Sequence, residues 1–144
     1  MDTPFWKIPI FNTSFDEREK AAVEAVLDSG WLTMGETCQE FERQFAEYIG
    51  TKHAIALSSG TAALHLANLA INLKNDDEVI CPSFSFVATA NSIIYTGAKP
   101  VFADISSSSD LNVSPSDIER RITNKTKAII VVHYGGYPCD MESI

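Results

Sequence analysis

The chain has 144 residues, about one domain's worth, and its apolar (45%) and charged (21%) fractions are those of a folded globular protein. Nineteen acidic against eleven basic residues leave a net charge of −8, which argues against a sequence-independent nucleic-acid binder and against an anionic membrane surface as partner. No stretch approaches the roughly 18 consecutive apolar residues of a membrane span.

The first residues, Met1-Asp2-Thr3-Pro4-Phe5-Trp6-Lys7, carry none of the parts of a signal peptide, so a cytoplasmic protein is expected. Ser14-x-x-Glu17 reads as a capping box opening a helix over 14–29, with Ala22, Val23, Val26 and Leu27 as its apolar stripe and Ser29-Gly30 as its stop. The loop Gly30-Trp31-Leu32-Thr33-Met34-Gly35 follows, its tryptophan expected at the surface. Thr37-x-x-Glu40 reads as a second capping box. Phe41, Phe45, Tyr48 and Ile49 then have the spacing of one buried helix face, and Gly50 ends the helix.

From residue 54 strands alternate with helices. Ala54-Ile55-Ala56-Leu57 reads as a strand buried on both faces, and Ser58-Ser59-Gly60 turns into a helix over 61–73. Glu78–Cys81 is the next strand, halted by Pro82, and a helix over 86–96 ends at Gly97. Pro100–Ala103 is a third strand. Ser114-Pro115 starts a helix running to about Ile122, and Lys127–Val132 is the fourth strand. Tyr137–Ile144 reads as a loop and the start of a helix, so the chain is expected to stop inside an element. This order predicts an α/β fold with a largely parallel sheet and flanking helices, whose ligands bind beyond the carboxyl ends of the strands.

Cys38, Cys81 and Cys139 are odd in number and far apart, which predicts buried small apolar residues and neither a disulfide framework nor a zinc site. His53, His65 and His133 have no close partner at ligand spacing, so structural roles and no metal are expected. None of the seven glycines completes a Rossmann or P-loop motif. What remains is Leu57-Ser58-Ser59-Gly60-Thr61-Ala62-Ala63-Leu64, where free backbone amides and the positive end of a helix dipole meet. It reads equally as an anion site or as plain capping by Ser58 or Ser59. In Pro82-Ser83-Phe84-Ser85-Phe86-Val87, an aromatic at a strand-to-helix corner can lie on a planar ring or pack in the core, and core packing is the stronger reading for either phenylalanine alone.

Taken together these segments resemble the amino-terminal portion of the DegT-type nucleotide-sugar aminotransferases, pyridoxal 5'-phosphate (PLP) enzymes with the aspartate aminotransferase fold. The resemblance rests on Ser29–Gly35 with Phe41-Glu42-x-x-Phe45-Ala46-x-Tyr48, on Ser59–Leu64, on Pro82–Thr89, on Gly97-Ala98-Lys99-Pro100-Val101-Phe102-Ala103-Asp104 and on Val132-His133-Tyr134-Gly135-Gly136. It implies residues 1–50 as a helical segment and 51–144 as an incomplete PLP-binding α/β large domain. It further implies that Ser59, Gly60 and Thr61 hold the cofactor phosphate, and that Phe86 stacks on the pyridine ring while Phe84 belongs to the core. Thr33 lies in a loop near the substrate, and Asp104 is structural.

The expected activity is transfer of an amino group, from glutamate in most of this family, to a nucleotide-linked keto-deoxysugar by a homodimer. No catalytic residue is expected among these 144, because the aspartate that pairs with the pyridine nitrogen and the Schiff-base lysine come later in the family pattern. Lysines 7, 20, 52, 74, 99, 125 and 127 lie on no such motif, so the chain alone is expected to be inactive. The alternatives are a PLP-dependent sugar dehydratase of the same family and a truncated, non-catalytic α/β module.

Overall fold

A computed structural model describes residues 12–144, so the reading of Met1–Lys7 lies outside it. The described residues fall into two units, one ending at Ala56 and the other spanning Leu57–Ile144. None of their helices is long and apolar enough to cross a membrane.

In the first unit, helix α1 (Glu17–Ser29) is capped by Asp16 and not by Ser14. The Arg18 N–H donates to Asp16 Oδ1 at 2.8 Å, and the Asp16 N–H donates to Glu19 Oε2 at 2.8 Å. The expected box is thus shifted by two residues, because an ionised carboxylate is a stronger acceptor than a serine hydroxyl. Gly30 ends the helix in the left-handed region at φ 70°. Helix α2 (Glu36–Ile49) has no side-chain cap at all; it starts from Gly35. The carboxylate expected in a second capping box, Glu40, is instead claimed by Arg43 at 2.7 Å, which holds its pKa down at about 2. Trp31 explains Gly35: its indole N–H donates to the Met34 carbonyl at 3.0 Å, and a Cβ at Gly35 would sit 2.5 Å from the indole nitrogen.

The apolar stripes of this unit are mostly exposed. Ala46 is the one buried residue of α2, while Phe41 and Phe45 pack on each other with ring centroids 5.8 Å apart. Two helices alone supply no second layer to cover such a face. Cys38, expected to be buried, is only half-buried. The run Ala54–Leu57 joins no ladder, and Ile55 is 76% exposed, so the expected four strands are three. The Ala56 N–H donates instead to Glu42 Oε1 at 2.7 Å.

The second unit follows the predicted alternation: α3 (Gly60–Ala70), β1 (Glu78–Pro82), α4 (Ala88–Ile94), β2 (Lys99–Ala103), α5 (Pro115–Arg121), β3 (Thr126–Ile129) and a 3-10 turn over Tyr134–Gly136. The three strands pair in parallel in the order β2-β1-β3, so β1 is central, with Ile80 opposite Val101 and Ile129. Successive β1 side chains point to opposite faces. Val79 and Cys81 join Leu73, Ile93 and Ala98 in one core, and Ile80 joins Ala103, Val113, Ile118 and Cys139 in another.

Helix α5 opens on Ser114 as N-cap with Pro115 in its first turn, as expected. Its Asp117 carboxylate is buried, accepting from the Asp104 N–H, Arg120 and Arg121, each at 2.7 Å. The Asp104 amide first, and then Arg121, hold its pKa at about 2, against an ordinary 3.8. A depressed folded-state pKa contributes stability above the unfolded value that disappears as pH falls through the folded one. Asp117 is therefore expected to lend acid sensitivity between about pH 4 and pH 2. Melting curves of wild type and Asp117→Asn across that window check this: the variant should be less stable at neutral pH and lose part of the slope, and parallel curves would refute it.

Candidate functional site

The amino end of α3 is built by its cap. Ser59 is extended, its hydroxyl accepts from the Ala62 N–H at 3.1 Å, and its carbonyl accepts from the Ala63 N–H at 3.1 Å. The amides of Gly60 and Thr61 and the Thr61 hydroxyl have no partner among the described residues. Because the Ser59 hydroxyl accepts in the cap, its own proton stays free to donate outward. Capping and anion binding therefore do not compete here: the cap uses the third amide and leaves the first two. No acidic side chain occupies the first turn, so the positive end of the helix dipole is not neutralised there. Gly60 is not left-handed, and a Cβ added to it meets nothing within 4 Å. Neither backbone nor neighbours require glycine at this position. Its missing side chain leaves a small cradle in front of free amides, which suits a phosphate oxygen.

The second element is the corner after β1. Ser83 extends the sheet by one bond, its N–H donating to Ala103 O at 2.8 Å, and the chain then turns into α4 with Ser85 Oγ and Thr89 Oγ1 2.8 Å apart. Phe86 is 76% exposed, an apolar ring face open to a planar partner. Phe84 departs from its expected place in the core: it is 45% exposed, with its ring 4.8 Å from that of Tyr134. The inward positions of β1 end at Pro82, so a side chain beyond the carboxyl edge finds only the neighbouring loop to pack on.

Helices α3 and α4, which follow these two segments, pack together. Asn68 Nδ2 donates to Ser92 Oγ at 3.1 Å in a buried pair, and His65 meets Tyr95 edge-on at 5.4 Å. His133 Nδ1 accepts from the Cys139 N–H at 3.0 Å. Among the described residues no three His, Cys, Asp or Glu side chains cluster to hold a metal. Asp104 is exposed and its Oδ1 accepts from the Ile105 N–H at 2.8 Å, turning the chain after β2. The lysines of this unit sit at the other end of the sheet: Lys74 and Lys125 precede β1 and β3, Lys99 opens β2, and Lys127 is second in β3.

Thr33 belongs to the first unit, where with Val26, Trp31, Leu32 and Met34 it lines an open groove of about 960 Å³. Sequence reasoning passed over Asn112. It is 3% exposed, its Nδ2 donates to the carbonyls of Tyr137 (3.2 Å) and Pro138 (3.1 Å), and its Oδ1 accepts from the Tyr134 N–H at 2.9 Å. An asparagine in a serine-rich loop carries no periodicity signal; its burial appears only when distant loops meet.

Residues 13–144 match the DegT/DnrJ/EryC1/StrS aminotransferase family. Over 138 residues the chain is 48% identical to the GDP-perosamine synthase of Escherichia coli O157:H7, which covers 95% of this chain and 38% of that protein. The aminotransferase from Psychrobacter cryohalolentis, at 40% identity, superposes with a TM-score of 0.81 over 90% of this chain and 33% of its own. A GDP-4-keto-6-deoxymannose-3-dehydratase, crystallised with a trapped PLP–glutamate geminal diamine, superposes with a TM-score of 0.84 at 33% identity, over 94% of this chain and 36% of its own. The chain thus spans between 33% and 38% of the length of these relatives.

Proposed function

Because the chain belongs to the DegT/DnrJ/EryC1/StrS aminotransferase family, we propose that it supplies the phosphate-binding and ring-stacking part of a PLP enzyme acting on a nucleotide-linked keto-deoxysugar. In this reading residues 51–144 begin the cofactor-binding domain and 1–50 are a helical segment ahead of it. The reaction is amination of the keto carbon, with glutamate as donor. Both substrates are supported by what the names of the relatives state: one makes GDP-perosamine, and the dehydratase holds glutamate together with PLP. The partner subunit is a second copy, in keeping with the apolar side chains that α1 and α2 leave exposed.

The observation that carries the reading is the cradle at Gly60. There the amides of Gly60 and Thr61 and the hydroxyls of Ser59 and Thr61 donate to phosphate oxygens, in the field of the helix dipole. Phe86 offers its ring face to the pyridine ring and shields it from water on that side. When bound, the cofactor supplies the electron sink for proton removal at the amino-bearing carbon. The four lysines of the second unit sit at the amino ends of its strands, away from Gly60 and Phe86, so in this reading none of those four moves that proton.

Gly60→Ala in the complete protein tests this. The methyl group fills the cradle, so PLP affinity falls, while the apo-protein keeps its stability or gains up to about 1 kcal/mol from better helix propensity. Absorbance titration and thermal melting read the two effects; unchanged affinity would place the phosphate elsewhere. The dehydratase relative supports a second reading on the same scaffold. Product mass after incubation with glutamate and a GDP-linked 4-keto-6-deoxysugar separates the two: amination adds nitrogen to the sugar, and dehydration removes oxygen without leaving nitrogen behind.

A further inference from the structure

Sheet order gives Asn112 its importance. It lies in the loop after β2, and all three of its side-chain hydrogen bonds go to the loop after β3. Strands β2 and β3 flank β1, so these bonds join the two outer loops across the end of the central strand. The loop that Asn112 grips has Gly135 at φ 62° and Gly136 at φ 82°, left-handed conformations that cost glycine little but leave the segment many alternatives. Packing of Cys139 and its bond to His133 anchor the far end of this loop, but a cavity of about 180 Å³ remains between the two loops, lined by Ser109, Asp110, Leu111, Asn112, Tyr134 and Tyr137. The Tyr134 ring in turn rests on Phe84, two residues before Phe86.

We propose that Asn112 is a positioning residue of the cofactor site: its carboxamide holds Tyr134 against Phe84 and thereby sets the corner from which Phe86 projects. The proposal rests on the PLP reading above. Asn112 touches no reacting atom. It acts through Tyr134, by removing conformations of the glycine-containing loop that would let the corner relax.

The test uses the complete protein, PLP itself as probe, and N112D, Y134A and the double variant. N112D retains an acceptor for the Tyr134 N–H but turns a carboxylate oxygen toward two carbonyls. PLP affinity should fall about 5- to 150-fold, the range for a buried hydrogen-bonding group left unpaired. Amide exchange should quicken within 133–138 and not across the sheet. Y134A should weaken binding as well, and the double variant should bind no worse than the weaker single one, since both act on one contact. Wild-type affinity in N112D, additive losses in the double variant, or a stability loss with unchanged affinity would each overturn the proposal. If N112D does not fold, Y134A alone decides: PLP affinity equal to wild type overturns it. Failure of the wild type to bind PLP refutes the functional reading, whereas equal binding by wild type and N112D refutes only the role of Asn112.

Discussion

On the proposed function, replacing Thr61 by valine in the complete protein is expected to weaken PLP binding about 10- to 150-fold, the loss of the proposed charge-assisted hydrogen bond to the phosphate, worth roughly 1.5–3 kcal/mol. The Thr61 hydroxyl has no other partner among the described residues, so its loss costs the fold little. Serine at the same position keeps the hydroxyl and should retain most of the affinity. Equilibrium titration of the three proteins checks this. Equal losses for valine and serine would show that the methyl group, and not the hydroxyl, is what matters, and the donor role given to Thr61 would be wrong.

The largest expected effect on stability is at Ile80. Its side chain is fully buried in the middle of the central strand, within the core that includes Ala103, Val113 and Ile118. Ile80→Ala should cost about 2–5 kcal/mol, from lost transfer energy and a cavity that a three-stranded sheet cannot readily close, while Ile80→Val should cost about 0.5–1.5 kcal/mol. Denaturant unfolding of the complete protein measures both. Phe84→Ala serves as contrast, since a ring 45% exposed beyond the carboxyl edge has less burial to lose. A smaller loss at Ile80 than at Phe84 would mean that the core has been wrongly located.

Phe84 is expected in the core and lies outside it, whereas the strand expected over Glu78–Cys81 forms, and the difference is a matter of where each sits. Val79, Ile80 and Cys81 form an apolar run with no polar alternation, and only a strand covered on both faces tolerates that. The same argument failed for Ala54–Leu57, whose composition is alike. Burial requires neighbours as well as apolar side chains, and this run pairs with no strand among the described residues. The cap of α5 is at the expected Ser114, that of α1 lies two residues from the expected Ser14 because the Asp16 carboxylate is the stronger acceptor within one polar turn, and the box expected at Thr37 does not form. The Gly60 segment could be read because its chemistry is local, with hydroxyl, glycine and helix start contiguous. Asn112 could not. Its three partners lie 22 to 26 residues away, and nothing about a polar residue in a polar loop foretells that it will be enclosed.

The close seat of the Trp31 indole on Gly35 makes the loop that carries Thr33 optically addressable. The ring is 63% exposed, yet its N–H is tied to the Met34 carbonyl, so its emission is sensitive both to solvent and to the conformation of its own loop. The 144 residues contain two tryptophans, and with Trp6 replaced by phenylalanine, Trp31 is the one indole among them to report events in that loop, with no dye to attach.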